Sequence, residues 1–166
     1  MDDTSLTPFV NALRRVFDIA FQMNVVTTQG AGEPGAAIAP DVSAGIMLGG
    51  ALQATLLLEF SLPTAQRVVS LFAGLDVHEQ DESDIRDAIG EIACMVAGNA
   101  KAHFGAADLP SSIPAVTMGK GRHVHDPASG VGVTCVSDCG DFTLRLVPPQ
   151  TRATITTRTL TEAISR

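Results

Sequence analysis

Phe9, Leu13, Val16, Phe17 and Ala20 recur at intervals of three and four residues, the spacing that lines one face of an α-helix. Thr7-Pro8 stands just ahead of them. A threonine can cap free helix amides, and proline tolerates the first helical position because its missing N–H has no partner there. The pattern therefore predicts a helix opening at that pair. The Gly/Pro-rich stretch 29–37 (QGAGEPGAA) reads as a loop. The period then shortens: Val42–Gly49 and Leu52–Phe60 read as two strands about a turn at Gly49-Gly50. Ser61 before Leu62-Pro63 opens a second helix, which Gly74 stops after Ala73.

The strongest periodicity follows an acidic stretch, Glu79 to Asp84, whose carboxylates favour the positive end of a helix dipole. Ile85, Ile89, Ile92, Val96 and Ala100 fall within about a third of a helix circumference, and the helix is predicted to end near Phe104-Gly105. Three short strands are predicted beyond it, at Ala115–Met118, Gly132–Val136 and Phe142–Val147. The stretch from Pro148 is Thr/Arg-rich and weakly periodic, which divides the chain into a domain at 1–147 and a tail at 148–166. Both halves of the domain carry an amphipathic helix and strands, yet no compelling repeat is visible in the residues.

Composition narrows the partners. The chain has 166 residues, 45% of them apolar, enough for one real core. Its net charge of −7 and lack of any basic run argue against nucleic acid and against an anionic membrane surface. Trp and Tyr are absent, so aromatic base-stacking platforms are poorly supplied. The longest apolar run, Ala54 to Phe60, is far too short to span a bilayer and contains Glu59. No signal-like segment opens the chain, and Cys94, Cys135 and Cys139 are an odd number of cysteines. Free thiols in a reducing cytoplasm are expected.

The helix over 83–104 offers one face with chemistry on it. With Glu91 as reference and about 100° per residue, Asp87, Cys94 and Gly98 lie within about 60° of it, and Lys101 a little beyond. Two carboxylates, a thiol, a bare patch of backbone and an ammonium thus line one side. A solvated helix face would look much the same. The glycine is the anomaly: in an exposed helix interior it costs up to ~1 kcal/mol against alanine, and it lets another surface come close.

The run Asp87-Ala-Ile-Gly-Glu91-Ile-Ala-Cys94-Met-Val-Ala-Gly98-Asn99-Ala-Lys101 resembles the helix motif of the CheC/CheX chemotaxis phosphatases, which in CheX-like sequences reads Gly-Glu-x-x-Asn-Met-x-x-Gly-Asn-Ala. Ile113-Pro114-Ala-Val-Thr-Met-Gly119 resembles the strand that follows, with Pro114 close to the family's proline, and Gly140-Asp-Phe-Thr-Leu144 is similar in style to its closing strand. The resemblance spans roughly residues 5–147. It implies an α/β (α+β) fold, an antiparallel sheet with long helices packed on it, often assembled as a dimer. It also implies a partner, a phosphorylated CheY-type receiver, and a reaction, water attack on its aspartyl phosphate. Positioning and charge stabilisation dominate such chemistry. The resemblance gives Glu91 the contact to the receiver's active-site lysine, and gives Asn99 and Pro114 structural places. Asp87, Gly98 and Lys101 would belong to the receiver-facing stripe. No cofactor of the chain's own is implied, since the Mg²⁺ would sit in the receiver.

One departure matters. The family's water-orienting asparagine is Cys94 here. A carboxamide offers a fixed acceptor and two donors, whereas a thiol is weak at both. Asn99 lies about 140° round the helix from Cys94 and cannot take its place. Three readings stay open: a weakened phosphatase, a binder that does not hydrolyse, or a receiver whose own layout supplies the missing group. A structural dimer scaffold without a receiver partner is the rival from another class.

Other constellations carry less. Cys94 as a covalent nucleophile needs a base in reach, and His103 lies on the opposite side of the helix. His123, His125 and Asp126 could bind a metal, but a surface histidine pair beside a turn explains them as well. Cys135 and Cys139 lack the second pair of a zinc site. Gly119-Lys120-Gly121 lacks the spacing of a phosphate loop. No metal is expected.

Overall fold

The computed structural model describes residues 3–28, 40–104, 109–119 and 130–149. The loop read at 29–37, the Lys120-Gly121 pair, His123, His125, Asp126 and the tail from residue 150 lie outside the described residues.

Helix α1 runs Asp3–Phe21, so the start expected at Thr7-Pro8 is corrected: Pro8 sits inside the helix. Leu6, three residues before Phe9, is buried with it, and that extra apolar contact carries the helix back past the proline. A three-residue strand, β1 (Val26–Thr28), follows; it has no alternation long enough to be read from sequence. Strands β2 (Val42–Leu48) and β3 (Ala54–Phe60) pair about the predicted glycine turn, β3 beginning two residues later than expected.

Helix α2 (Leu62–Ala73) starts and stops at its predicted signals. The Ser61 side chain accepts from the Thr64 N–H, and Gly74 takes the left-handed conformation (φ 69°) at the C-terminus. A short 3-10 turn, Val77–Glu79, leads to α3 (Glu82–Lys101). The acidic stretch becomes a reciprocal cap. Asp81 Oδ1 accepts from the N–H groups of Ser83 (2.7 Å) and Asp84 (3.0 Å), and Asp84 Oδ2 accepts from the Asp81 N–H (2.9 Å). The helix ends at Lys101, short of Phe104-Gly105, where Phe104 N–H turns back onto the Lys101 carbonyl. Strands β4 (Ala115–Met118), β5 (Val131–Ser137) and β6 (Gly140–Val147) complete the described elements.

The six strands form one antiparallel sheet in the order β1-β5-β6-β3-β2-β4. Alternation sorts its two faces. Val42, Ala44, Ile46, Leu56, Leu58, Phe60, Phe142, Leu144 and Leu146 join Phe9, Leu13, Phe17, Ile89 and Ile92 in one core. Phe142 stacks on both Phe60 (4.8 Å between ring centroids) and Phe17 (5.3 Å), tying sheet to α1. The opposite face carries a polar row across the whole sheet: register aligns Thr117, Ser43, Glu59, Thr143, Thr134 and Thr28. In it Thr143 Oγ1 donates to Glu59 Oε2 (3.2 Å), and the buried Glu59 pairs with Arg145 (3.8 Å). Gly132 opposes Arg145, and any Cβ there would come within 2.6 Å of the Arg145 stem.

The strand order has a hidden repeat. Exchange β1 with β4, β2 with β5 and β3 with β6, and the order reads the same from the other edge. The units α1–β1–β2–β3 and α3–β4–β5–β6 therefore match in topology, with α2 between them and each unit's short strand lent to the other's edge.

Candidate functional site

The packing of α3 fixes which of its side chains remain available. Ile85, Ala88, Ile89, Ile92, Ala93, Val96, Ala97 and Ala100 are buried, which turns Asp87, Glu91 and Gly98 outward and leaves Cys94 and Lys101 half-buried at the margin of that face. The five residues of the predicted stripe thus lie along one side of the helix. A Cβ built on Gly98 would meet no atom within 4 Å, so its backbone is open to an approaching surface.

Between α3 and the edge strand β4 lies an open groove of about 480 Å³, lined by Arg86, Asp87, Gly90, Glu91, Cys94, Pro114 and Val116. Gly90 builds it. Its Cβ position is 3.4 Å from both Pro114 Cγ and Val116 Cγ2, so the proline ring lies directly on the helix beside Glu91. Arg86 closes the end: Nη1 donates to the Val116 carbonyl (2.7 Å) while Nη2 pairs with Glu82 (3.6 Å). The structure brings Asp87, Glu91, Cys94 and Pro114 together at this groove. Gly98 and Lys101 continue the stripe beyond it. Asn99 is apart, exposed, with Nδ2 donating to the Met95 carbonyl one turn back (2.9 Å).

Sequence reasoning gave no role to Gly90, Arg86 or Val116. Gly90 stands beside Glu91 in the quoted motif, and a second glycine in an amphipathic helix was the available signal. Nothing in the residues could announce that Arg86 reaches a carbonyl thirty positions later.

The groove's electrostatics are simple. Burial pushes the Cys94 thiol above its ordinary value, the neighbouring Glu91 carboxylate pushes it further, and Lys101 offsets part of this. Cys94 is accordingly a neutral thiol at physiological pH, without the electropositive setting of a nucleophilic cysteine. Cys135 and Cys139 are free and buried, and burial takes the Cys135 thiol up to about 12. Among the described residues no group of three His, Cys, Asp or Glu is placed to hold a metal ion. Among them, too, no helix is long and apolar enough to cross a membrane.

Comparison with known proteins gives a family match and a fold. A family model described as chemotaxis phosphatase CheX matches residues 42–137. No match is found among curated proteins. Among solved structures, the chemotaxis protein CheX of Desulfovibrio desulfuricans is similar, with 24% identity and a TM-score of 0.71 over 85% of this chain and 96% of that one. CheX of Vibrio vulnificus is similar at 22% identity and a TM-score of 0.72, covering 86% and 97% of the two chains. A third similar structure is the CheX–CheY–BeF3–Mg complex of Borrelia burgdorferi, at 16% identity and a TM-score of 0.68, covering 86% and 96%. The antiparallel sheet with helices packed on it is the fold of these neighbours.

Proposed function

Because the chain belongs to the CheX family of chemotaxis phosphatases, we propose that it binds a phosphorylated CheY-type receiver along the α3 stripe and promotes hydrolysis of its aspartyl phosphate. The observation that carries this reading is the convergence of Glu91, Cys94 and Pro114 on one open groove. The neighbouring B. burgdorferi structure, a CheX holding a CheY with BeF3 and Mg, supports the choice of partner.

In this reading the exposed Glu91 meets the receiver's active-site lysine, and Asp87, Gly98 and Lys101 complete the docking stripe. Asn99, bonded to its own helix, and Pro114, seated on Gly90, hold the motif in shape. Water attacks phosphorus, the P–O bond to the aspartyl carboxylate breaks, and inorganic phosphate leaves. The Mg²⁺ that neutralises the phosphoryl oxygens belongs to the receiver, and the chain brings no cofactor of its own. The chain's contribution to the reaction is position and charge. The compartment is the cytoplasm, where Cys94, Cys135 and Cys139 stay reduced, and the assembly is a homodimer, as the family resemblance implies.

The Cys94 thiol favours a second reading, in which the same face binds the receiver without hydrolysing it. A neutral, half-buried thiol is a poor water holder. Phosphate release from a phosphorylated CheY-type receiver of the same organism, measured with wild type, Glu91→Ala and Cys94→Asn, separates the two. Acceleration by wild type that Glu91→Ala abolishes identifies a phosphatase. An inert wild type that Cys94→Asn activates identifies a binder on a phosphatase frame. A chain that neither binds nor acts on any receiver, and is indifferent to Glu91→Arg, is a scaffold.

A further inference from the structure

Ile113 is the most exposed large apolar side chain among the described residues, at 87%. A lone exposed isoleucine is ordinary on a protein surface. The setting of Ile113 is not. It directly precedes Pro114, whose ring lies on Gly90 at the groove wall. Its backbone is held from the other side as well. Pro110 accepts from the Gly49 N–H (2.8 Å), Ser112 N–H donates to the Met47 carbonyl (2.9 Å), and Ser112 Oγ accepts from the Met47 N–H (3.1 Å) while donating to the Ile113 carbonyl (2.8 Å). Leu109, at the start of the same segment, is fully buried. The segment is therefore a pinned ledge, and it holds a branched aliphatic side chain out to solvent one residue before Pro114, which lines the groove that contains Glu91 and Cys94.

We infer that Ile113 is an apolar anchor for the receiver, a specificity-determining contact that enters a hydrophobic recess beside the receiver's phosphorylation site. The inference rests on the receiver-binding reading above and adds a second half to it. The α3 wall of the groove presents carboxylates, Asp87 and Glu91, which select a basic group; the facing wall carries Pro114, with Ile113 next to it in the chain, and selects an apolar one. Two unlike contacts on opposite walls fix orientation as well as affinity. Because the ledge is already ordered and isoleucine has few rotamers to lose, burial of Ile113 on docking carries little entropic penalty. A buried aliphatic anchor of this kind changes affinity by roughly 10- to 100-fold when truncated.

The test is the affinity of a CheY-type receiver of the same organism, activated with BeF3 and Mg²⁺, for wild type, Ile113→Ser, Ile113→Leu, Glu91→Arg and Ile19→Ser. Ile19 is a control, 67% exposed on α1, an element that contributes no residue to the groove lining. The expected result is a loss of about 10-fold or more for Ile113→Ser, near-complete retention for Ile113→Leu, no change for Ile19→Ser, and unaltered Tm throughout the Ile113 series. In the hydrolysis assay Ile113→Ser raises KM and leaves kcat alone, a split that a merely structural role would not produce. Binding abolished by Glu91→Arg but untouched by Ile113→Ser overturns the anchor and leaves the receiver-binding reading standing. Equal losses for Ile113→Ser and Ile19→Ser also overturn it. Binding indifferent to Glu91→Arg, or absent in wild type, overturns the receiver-binding reading and the anchor with it.

Discussion

At position 94 the chemistry turns on what one atom can hold. A thiol half-sunk beside a carboxylate stays protonated and binds water weakly, so Cys94→Asn should raise phosphate release from a phosphorylated receiver on the order of 10²-fold. The same environment predicts sluggish alkylation. Iodoacetamide labelling of Cys94, followed by mass spectrometry, should be slow at pH 8 and should speed up only above the ordinary thiol range; fast labelling at neutral pH would contradict the raised pKa. Gly98 makes a prediction with two opposite signs. With nothing within 4 Å of its Cβ position, Gly98→Ala should stabilise the fold by about 1 kcal/mol in chemical denaturation, yet weaken receiver binding, because the methyl group holds the partner off the helix. These residues were legible in the sequence because helical spacing alone places them on one face. The partners that shape the groove were not, since the Gly90–Pro114 and Arg86–Val116 contacts cross from a helix to a distant strand.

Elements differ in how openly the chain announces them. Helix α2 carries explicit caps, Ser61 and Gly74, and was readable to the residue, whereas α3 was readable at its acidic start but ends at Lys101, three residues before the predicted Phe104. Proline at position 8 pointed to the wrong start for α1, because the tertiary burial of Leu6 outweighed a local signal. Strand β3 hides its two-sidedness: in ATLLLEF the outward-facing Leu57 is as apolar as the inward Leu56 and Leu58, so Glu59 looked like a flaw in a run when it is part of a cross-strand row. That row yields its own test. Arg145→Met leaves the buried Glu59 carboxylate without its guanidinium and should cost about 3 kcal/mol, while replacing both partners with leucine should recover most of it. Urea denaturation of the single and double variants reads the difference. On the other face of β5, Cys135 is raised from 9.0 to about 12. The folded state keeps a proton that the unfolded chain releases, so this stabilisation is complete below pH 9 and fades as pH climbs toward 12. The slope of stability against pH over that window should be shallower in Cys135→Ala by up to roughly 1.4 kcal/mol per pH unit.

Seen whole, the described residues form two topologically equivalent units, and the candidate groove lies on the second of them, between α3 and β4. At the centre β3 pairs with β6, joining residues 54–60 to 142–147. The palindromic order was beyond the reach of sequence, because both halves carry an amphipathic helix and strands without a compelling repeat of residues to pair them. The central pairing has a bearing on how the chain is made. Its partners stand 82 to 92 positions apart (Phe60↔Phe142 to Thr55↔Val147), so the middle of the sheet forms through one of the longest loop closures in the domain, and topologies dominated by such closures fold slowly. On the ribosome the first unit emerges with β3 as a bare edge, seven residues long and apolar but for Thr55 and Glu59. Until β6 arrives that edge is a template for any passing strand, and the carboxylate of Glu59 is its one charged guard against aggregation.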